Sequence, residues 1–264
     1  MRDYRFRTQK GKTVFELIKP LLLVLLPFIL IGGSFYLFKE SRFFEVQAIE
    51  VRGLESLSKE AVLAALEPKI LERSFLGKLL GIGNILAWQG NFSPDLRDEF
   101  PRLASLNVQG DLFRRSVVVN VAEKEKSVVW CLVSRDTCFW VDKEGVVFDL
   151  APAVSGRIIK VVRDSSERDL NIGETVLPAD EVSNLAKIFQ FLSNLNLHSK
   201  EMKIENVKFK EITAILDEGP ELRFSLNVDP GFGSSVVKTL IGSNDWSKIR
   251  YVDLRIEGRV YYSK

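Results

Sequence analysis

Hydrophobic and polar positions change rhythm several times along this chain. The first pattern is an unbroken apolar block. Pro20–Phe38, "PLLLVLLPFILIGGSFYLF", carries no charge, and with Leu17 and Ile18 it reaches the roughly 20 apolar residues that a spanning helix needs. Pro27 and Gly32-Gly33 would weaken a helix in water but are tolerated in a bilayer. Strand-like alternation follows over Phe43–Leu54 (Val46, Ala48 or Ile49, Val51). Ser58 then caps a helix over Glu60–Glu67, with Val62, Leu63 and Leu66 on one face. Gly77, Gly81, Gly83 and Gly90 break any long helix in the next stretch. Ser93 caps a second short helix with Pro94 at its first position. "RLASLNVQG" and "RRSVVVNVAEKE" read as strands, the latter with Val117, Val119 and Val121 in strict alternation. The order is β-α-α-β-β.

From Lys126 the rhythm is mostly two-residue. "SVVWCLV", "CFWVD" and "GVVFDL" predict three short strands, the last two joined by a tight turn at Asp142–Gly145. "RIIKVVRD" predicts another. The clearest helix after the apolar block is "LPADEVSNLAKIFQFLSNL", with Asp180 as its cap and Val182, Leu185, Phe189 and Leu192 on one face. Strands follow near Ile204–Phe209, Ile212–Leu216 and Leu222–Val228. A short helix, "SSVVKTLIG", precedes a final hairpin, Tyr251–Ile256 and Arg259–Tyr262, turned at Glu257-Gly258. The fold class is therefore α+β: one transmembrane helix, a β-α-α-β-β domain, and a β-rich domain with one long helix and a C-terminal β-hairpin. The boundaries are a basic tail at 1–16, the helix at 17–38, and domains at 43–125 and 126–264.

Charge sets the orientation. The 264 residues hold 37 Lys plus Arg and 35 Asp plus Glu, a balance that argues against nucleic-acid binding. Before Pro20, six basic residues (Arg2, Arg5, Arg7, Lys10, Lys12, Lys19) face only Asp3 and Glu16. After the block, Lys39 and Arg42 face Glu40. The more positive flank stays in the cytoplasm, so the chain beyond Phe38 is expected outside. A cleaved signal peptide is the alternative, but its apolar core is shorter and ends at small residues, whereas "SFYLFKESRFF" is bulky. An exported location permits a disulfide between Cys131 and Cys138, which flank a polar hairpin tip; two buried free thiols are the alternative.

Catalytic chemistry is not legible. The single histidine, His198, cannot complete a zinc site and reads as a loop residue. Neither a nucleophile elbow, a phosphate-binding loop nor a metalloprotease motif occurs. "GIG" and "GFG" lack the strand-glycine-helix frame of a dinucleotide site. Glu123 and Glu125 share one strand face like a glycosidase pair, but acid pairs of this kind are common on exposed strands. Trp130, Phe139 and Trp140 read as core. The expectation is no catalytic residue, no cofactor and no metal.

At this point the layout resembles the FtsQ/DivIB family of bacterial division proteins. "IEVRGLESLSKEAVLAAL" resembles the opening strand and helix of its POTRA domain, and "FPRLASLNVQGDLFRRSVVVNVAEKE" the closing strands. Glu123 through Trp130 is a partial match to the family's E-R-x-P-x-A-x-W junction, with Lys124 in place of arginine and Lys126 in place of proline. "FWVDKEGVVF" (Phe139–Phe148) resembles L-V-D-x-x-G-x-V-F, and "YVDLRIEGRVYY" the closing D-L-R strand pair. The similarity runs from Phe43 to the C-terminus. It implies a non-catalytic scaffold of the divisome, at the septal membrane, that binds small bitopic coiled-coil partners (FtsB/FtsL or DivIC-like) through the end of its β domain. It points to Arg255, Ile256, Gly258, Val260 and Tyr261 as partner-binding residues. An envelope protein of export or secretion bearing a POTRA domain, and a membrane-tethered cell-wall enzyme, are the alternative functions.

Overall fold

A computed structural model describes residues 14–73, 75–152 and 159–263. The expected basic tail at 1–16 therefore lies, through residue 13, outside the described residues. Helix α1 runs Val14–Glu40. It takes in Pro27 and both glycines of the apolar block, and Leu23–Glu40 has a mean hydropathy of 1.6 with none of it buried. That is long and apolar enough to cross a membrane.

Residue contacts divide the chain into two compact units, Met1–Pro94 with Ser105–Val121, and Asp95–Ala104 with Ala122–Lys264. After α1 come β1 (Ala48–Arg52), α2 (Lys59–Arg73), α3 (Phe75–Leu80), β2 (Gly90–Asn91), α4 (Ser93–Leu96), β3 (Leu103–Asp111) and β4 (Ser116–Glu123). The sheet order is β1-β4-β3-β2, with β1 parallel to β4 in the register Ala48↔Ser116 to Arg52↔Asn120. Val117, Val119 and Val121 are all buried, as their alternation requires.

Several expectations for this region are corrected. Phe43–Leu54 is not one strand: a 3-10 turn at Arg42–Phe44 precedes β1. α2 does not end at Glu67 but passes through Pro68 to Arg73. A mid-helix proline removes one backbone donor, but Ile70 beyond it is fully buried, and that burial holds the last turn. Ser58 does cap α2, accepting from Ala61 N at 3.2 Å. At the start of α4 the Asn91 carboxamide accepts from Ser93 N at 2.9 Å, and the Ser93 hydroxyl accepts from Leu106 N on β3 at 2.8 Å.

The second unit is built on β5 (Val128–Leu132), β6 (Thr137–Val141), β7 (Val147–Ala151), β8 (Val161–Asp164), α5 (Ala179–Asn194), β9 (Ser199–Ile204), β10 (Glu211–Leu216), β11 (Glu221–Ser225), α6 (Ser234–Ile241), β12 (Tyr251–Leu254) and β13 (Tyr261–Ser263). These strands form one nine-stranded sheet, ordered β13-β12-β11-β10-β9-β8-β5-β6-β7. The pairs β5–β8, β8–β9 and β11–β12 are parallel. One core lies between a sheet face and α5, joining Trp130, Phe139, Ile212 and Phe224 to Leu185, Ile188 and Phe191. Phe191 and Phe224 meet edge to face at 5.6 Å, the geometry that ring quadrupoles favour.

Here too some expectations change. Ile188 and Phe191 are buried in α5, while Phe189 only packs at the margin. Asp180 sits in the first turn of α5, and Pro178 occupies the cap without a side-chain bond. The strand expected at Ile204–Phe209 is β9, ending at Ile204, followed by a 3-10 turn at Val207–Phe209. Of the strand expected at Arg157–Asp164, residues 157 and 158 lie outside the described residues, and the observed strand, β8, begins only at Val161. The tight turn after β6 is closed by Gly145 N to Asp142 O at 3.1 Å. Gly145 has φ 84°, and a Cβ there would stand 2.0 Å from Leu177 O, so only glycine fits.

Candidate functional site

The two edges of the nine-stranded sheet are treated differently. On β7, Val147 N donates to Glu174 O at 2.9 Å and Val147 O accepts from Gly173 N at 2.7 Å; Val146 also bridges Thr175. A loop covers the start of that edge. At the other end, β13 pairs antiparallel with β12 in the register Tyr251↔Ser263, Val252↔Tyr262 and Asp253↔Tyr261. Among the described residues no strand lies outside β13.

Opposed residues in a strand pair share a face. Val252 is fully buried on the core face, so Tyr262 stands over the margin of the core and Tyr261 on the opposite face beside Asp253. Both tyrosines are about half exposed. The hairpin strands are shorter than the sequence pattern predicts, because Arg255–Val260 forms the connection between them.

Within that connection each expected residue has a distinct role. Arg255 places Nε 2.9 Å and Nη2 2.5 Å from the two Asp253 carboxylate oxygens, and Nη1 2.8 Å from Glu211 Oε2 on β10. Arg255 N also donates to Asp253 Oδ1 at 3.0 Å. Burial pushes the Asp253 carboxyl up, but the Arg255 guanidinium and backbone N–H outweigh it and hold the group below its usual range. Arg255 is held above its ordinary value, chiefly by its hydrogen bonds to Asp253. Ile256 projects into solvent at 55% exposure. Gly258 has φ 72°, and a Cβ placed there would meet nothing within 4 Å, so its requirement is backbone conformation alone.

Val260 faces the other way. It packs against the core cluster, and with Leu254 it closes on Gly233, where a Cβ would lie 2.2 Å from Leu254 Cδ2 and 3.3 Å from Val260 Cγ2. Ile256, Tyr261 and Tyr262 thus line the outside of the hairpin, Arg255 braces it, and Val260 fastens it to the core.

Beside the hairpin, Arg223 lies over the Tyr251 ring at 4.3 Å, continuing a polar face across β10–β12. Cys131 and Cys138 stand directly opposite in the β5–β6 pair and form a disulfide. Lys124 and Asp142, which belong to the junction and L-V-D-like motifs, form an ion pair at 2.9 Å.

Sequence reading did not find Asp164. It is fully buried, accepts from Trp130 Nε1 at 3.0 Å and Arg168 Nε at 2.8 Å, and takes a further bond from Ser166 N at 2.9 Å. The signal was present as an acid ending an apolar strand, followed by "SSER". All its oxygens are engaged in bracing the fold. Glu123 ends β4 and Glu125 lies beyond it, so they share no strand face. His198 is exposed. Among the described residues no group of three or more His, Cys, Asp or Glu is arranged to hold a metal ion.

The chain matches no protein-family model and no curated protein.

Proposed function

We propose that the chain is a non-catalytic, single-pass membrane scaffold of the bacterial divisome that captures a partner strand along the outer side of β13. In this reading α1 is the anchor, the N-terminus is cytoplasmic, and both folded units lie outside at the septum. The first unit serves as a POTRA-like module, and the partners are small bitopic coiled-coil proteins of the FtsB/FtsL or DivIC-like kind. Binding them helps control septal cell-wall synthesis.

One observation carries the reading: the contrast between the two sheet edges. Loop 173–175 occupies the start of the β7 edge, whereas β13 is outermost with exposed tyrosines and no such loop bonded along it among the described residues. An outer strand invites pairing unless it is blunted. Strand addition uses such an edge, with affinity from the main chain and specificity from alternate side chains.

The test is a photoreactive residue placed at Tyr261 in growing cells, with the same residue at exposed Leu150, on β7 at the opposite end of the sheet, for comparison. The expected result is a crosslink from position 261, but not 150, to a small single-pass membrane protein. Capture of a translocon or outer-membrane barrel component would support the export reading instead. No crosslink at 261 in folded, membrane-inserted protein would overturn the edge-strand reading.

A further inference from the structure

The first unit exposes apolar side chains that its own core does not cover, and they gather at one end. In α3, Phe75 is 74% exposed, and Leu76 and Leu79 are exposed with it. At about 100° per residue these three share an arc of about 100°, while the buried Gly77 points the other way. Leu71, near the end of α2, is exposed as well. A second projection is the β3–β4 turn, where Phe113 is 94% exposed.

Both projections are tied to the chain that leaves α1. Asn84, just past α3, donates from Nδ2 to Phe38 O at 2.8 Å, and Val46 N donates to Gly83 O at 2.9 Å. Gln47 N donates to Arg115 O at 2.8 Å, which brings the β3–β4 turn to the same end. The Phe38 and Phe44 rings meet at 5.1 Å. Topology agrees: β1 and β4 are parallel and start there, and α2 returns from the far end. Arg42, Lys78 and Arg114 are exposed on the same segments, as are Glu45 and Glu72, and Arg114 pairs with Asp111 at 3.8 Å.

We infer that α3 and the Phe113 turn seat in the headgroup–acyl boundary of the bilayer that α1 crosses, docking the first unit on an anionic phospholipid surface. The inference rests on the reading of α1 as a membrane span. Apolar side chains flanked by basic ones suit that boundary. Tethering by α1 keeps the surface within reach, so a short helix suffices where it could not bind from solution. Docking would hold the first unit in a fixed orientation on the membrane.

The test uses the full chain, one copy per lipid nanodisc containing phosphatidylglycerol, with a nitroxide on Leu76→Cys, Ile29→Cys or Lys59→Cys in turn; the native cysteines stay disulfide-bonded. Accessibility to oxygen is compared with accessibility to a water-soluble nickel chelate. The expected result is that positions 29 and 76 favour oxygen several-fold, whereas position 59, at the far end of α2, favours nickel. Adding Phe75→Glu and Leu79→Glu should turn position 76 aqueous without moving the thermal midpoint. An aqueous position 29 would remove the anchor reading itself. With position 29 in lipid, an aqueous position 76 overturns the docking, as does a position 76 that the two glutamates leave unchanged. Shielding that appears only with two copies per disc assigns the patch to a chain–chain contact and also overturns it.

Discussion

Arg255 closes a two-pronged ion pair on Asp253, two residues before it, and spends its remaining nitrogen on Glu211 across the sheet. The pair ties the exit of β12 to β10 and sets where the chain turns toward β13.

Its pH dependence has a definite sign. Asp253 is depressed below its usual value, so its contribution is present above the ordinary carboxylate range and lost as pH falls through the depressed value. Arg255→Ala should cost about 1 kcal/mol at neutral pH, a figure kept low because the pair is partly solvent-screened. The gap between wild type and variant should close below about pH 4. Urea unfolding at several pH values reads it; a constant gap down to pH 2 would mean that the pair does not carry the effect.

The disulfide closes a loop at the β5–β6 tip. In the chain-entropy model a loop of this size contributes about 2.5 kcal/mol. Replacing both cysteines with alanine should lower the thermal midpoint without changing the far-ultraviolet spectrum, and reductant should do the same to wild type. Full thiol labelling of denatured, unreduced protein from the envelope would show that the bridge does not form in the cell.

Two glycines separate backbone strain from steric exclusion. Gly258→Ala should cost about 1–2 kcal/mol, the left-handed penalty alone, because nothing crowds its site. Gly145→Ala adds a collision with the Leu177 carbonyl and should cost more than about 3 kcal/mol. Denaturant midpoints rank them, and equal losses would contradict the geometry.

Topology is checked on spheroplasts. Added protease should remove both folded units and spare the N-terminal segment, as the flanking charges require. Protection of the sheet with digestion of the N-terminal segment would invert the orientation.

What could be read from the sequence was what local rhythm encodes. The alternation of Val117, Val119 and Val121, the helical face around Leu185, and the polar tip between Cys131 and Cys138 all depend on near neighbours. Continuation of α2 past Pro68 was hidden because the burial of Ile70 outweighs the proline. The turn after β9 resembles strand in sequence because apolar Val207 and Phe209 disguise a local arrangement, in which Asn206 accepts from Lys208 N at 2.9 Å and Lys210 adopts φ 56°. The Asp164 cluster joins residues far apart in sequence, which periodicity cannot connect. At the hairpin, the resemblance pointed to Val260 as a partner-binding residue, but its packing beside Gly233 turns it inward.

That inward turn changes how the edge must be tested. Val260→Pro is the natural lesion for a strand edge, since proline removes a donor and fixes φ. Val260 precedes β13 and packs on the core, so its loss mixes unfolding with loss of binding. Ile256→Lys and Tyr261→Lys are cleaner, because both side chains are about half exposed and neither belongs to the core, and lysine is a natural edge blunter. Each should leave the thermal midpoint within about 2 °C, since exposed substitutions change stability by under about 0.5 kcal/mol. Each should weaken partner capture by at least about tenfold, or 1.4 kcal/mol. Tyr261→Ala should weaken it less, because the main chain supplies much of the affinity of strand addition. Leu150→Lys on β7, at the opposite end of the sheet, should leave capture unchanged. Wild-type capture by both lysine variants would move the site off β13, and an equal loss from Leu150→Lys would show that charge, not edge pairing, is being measured.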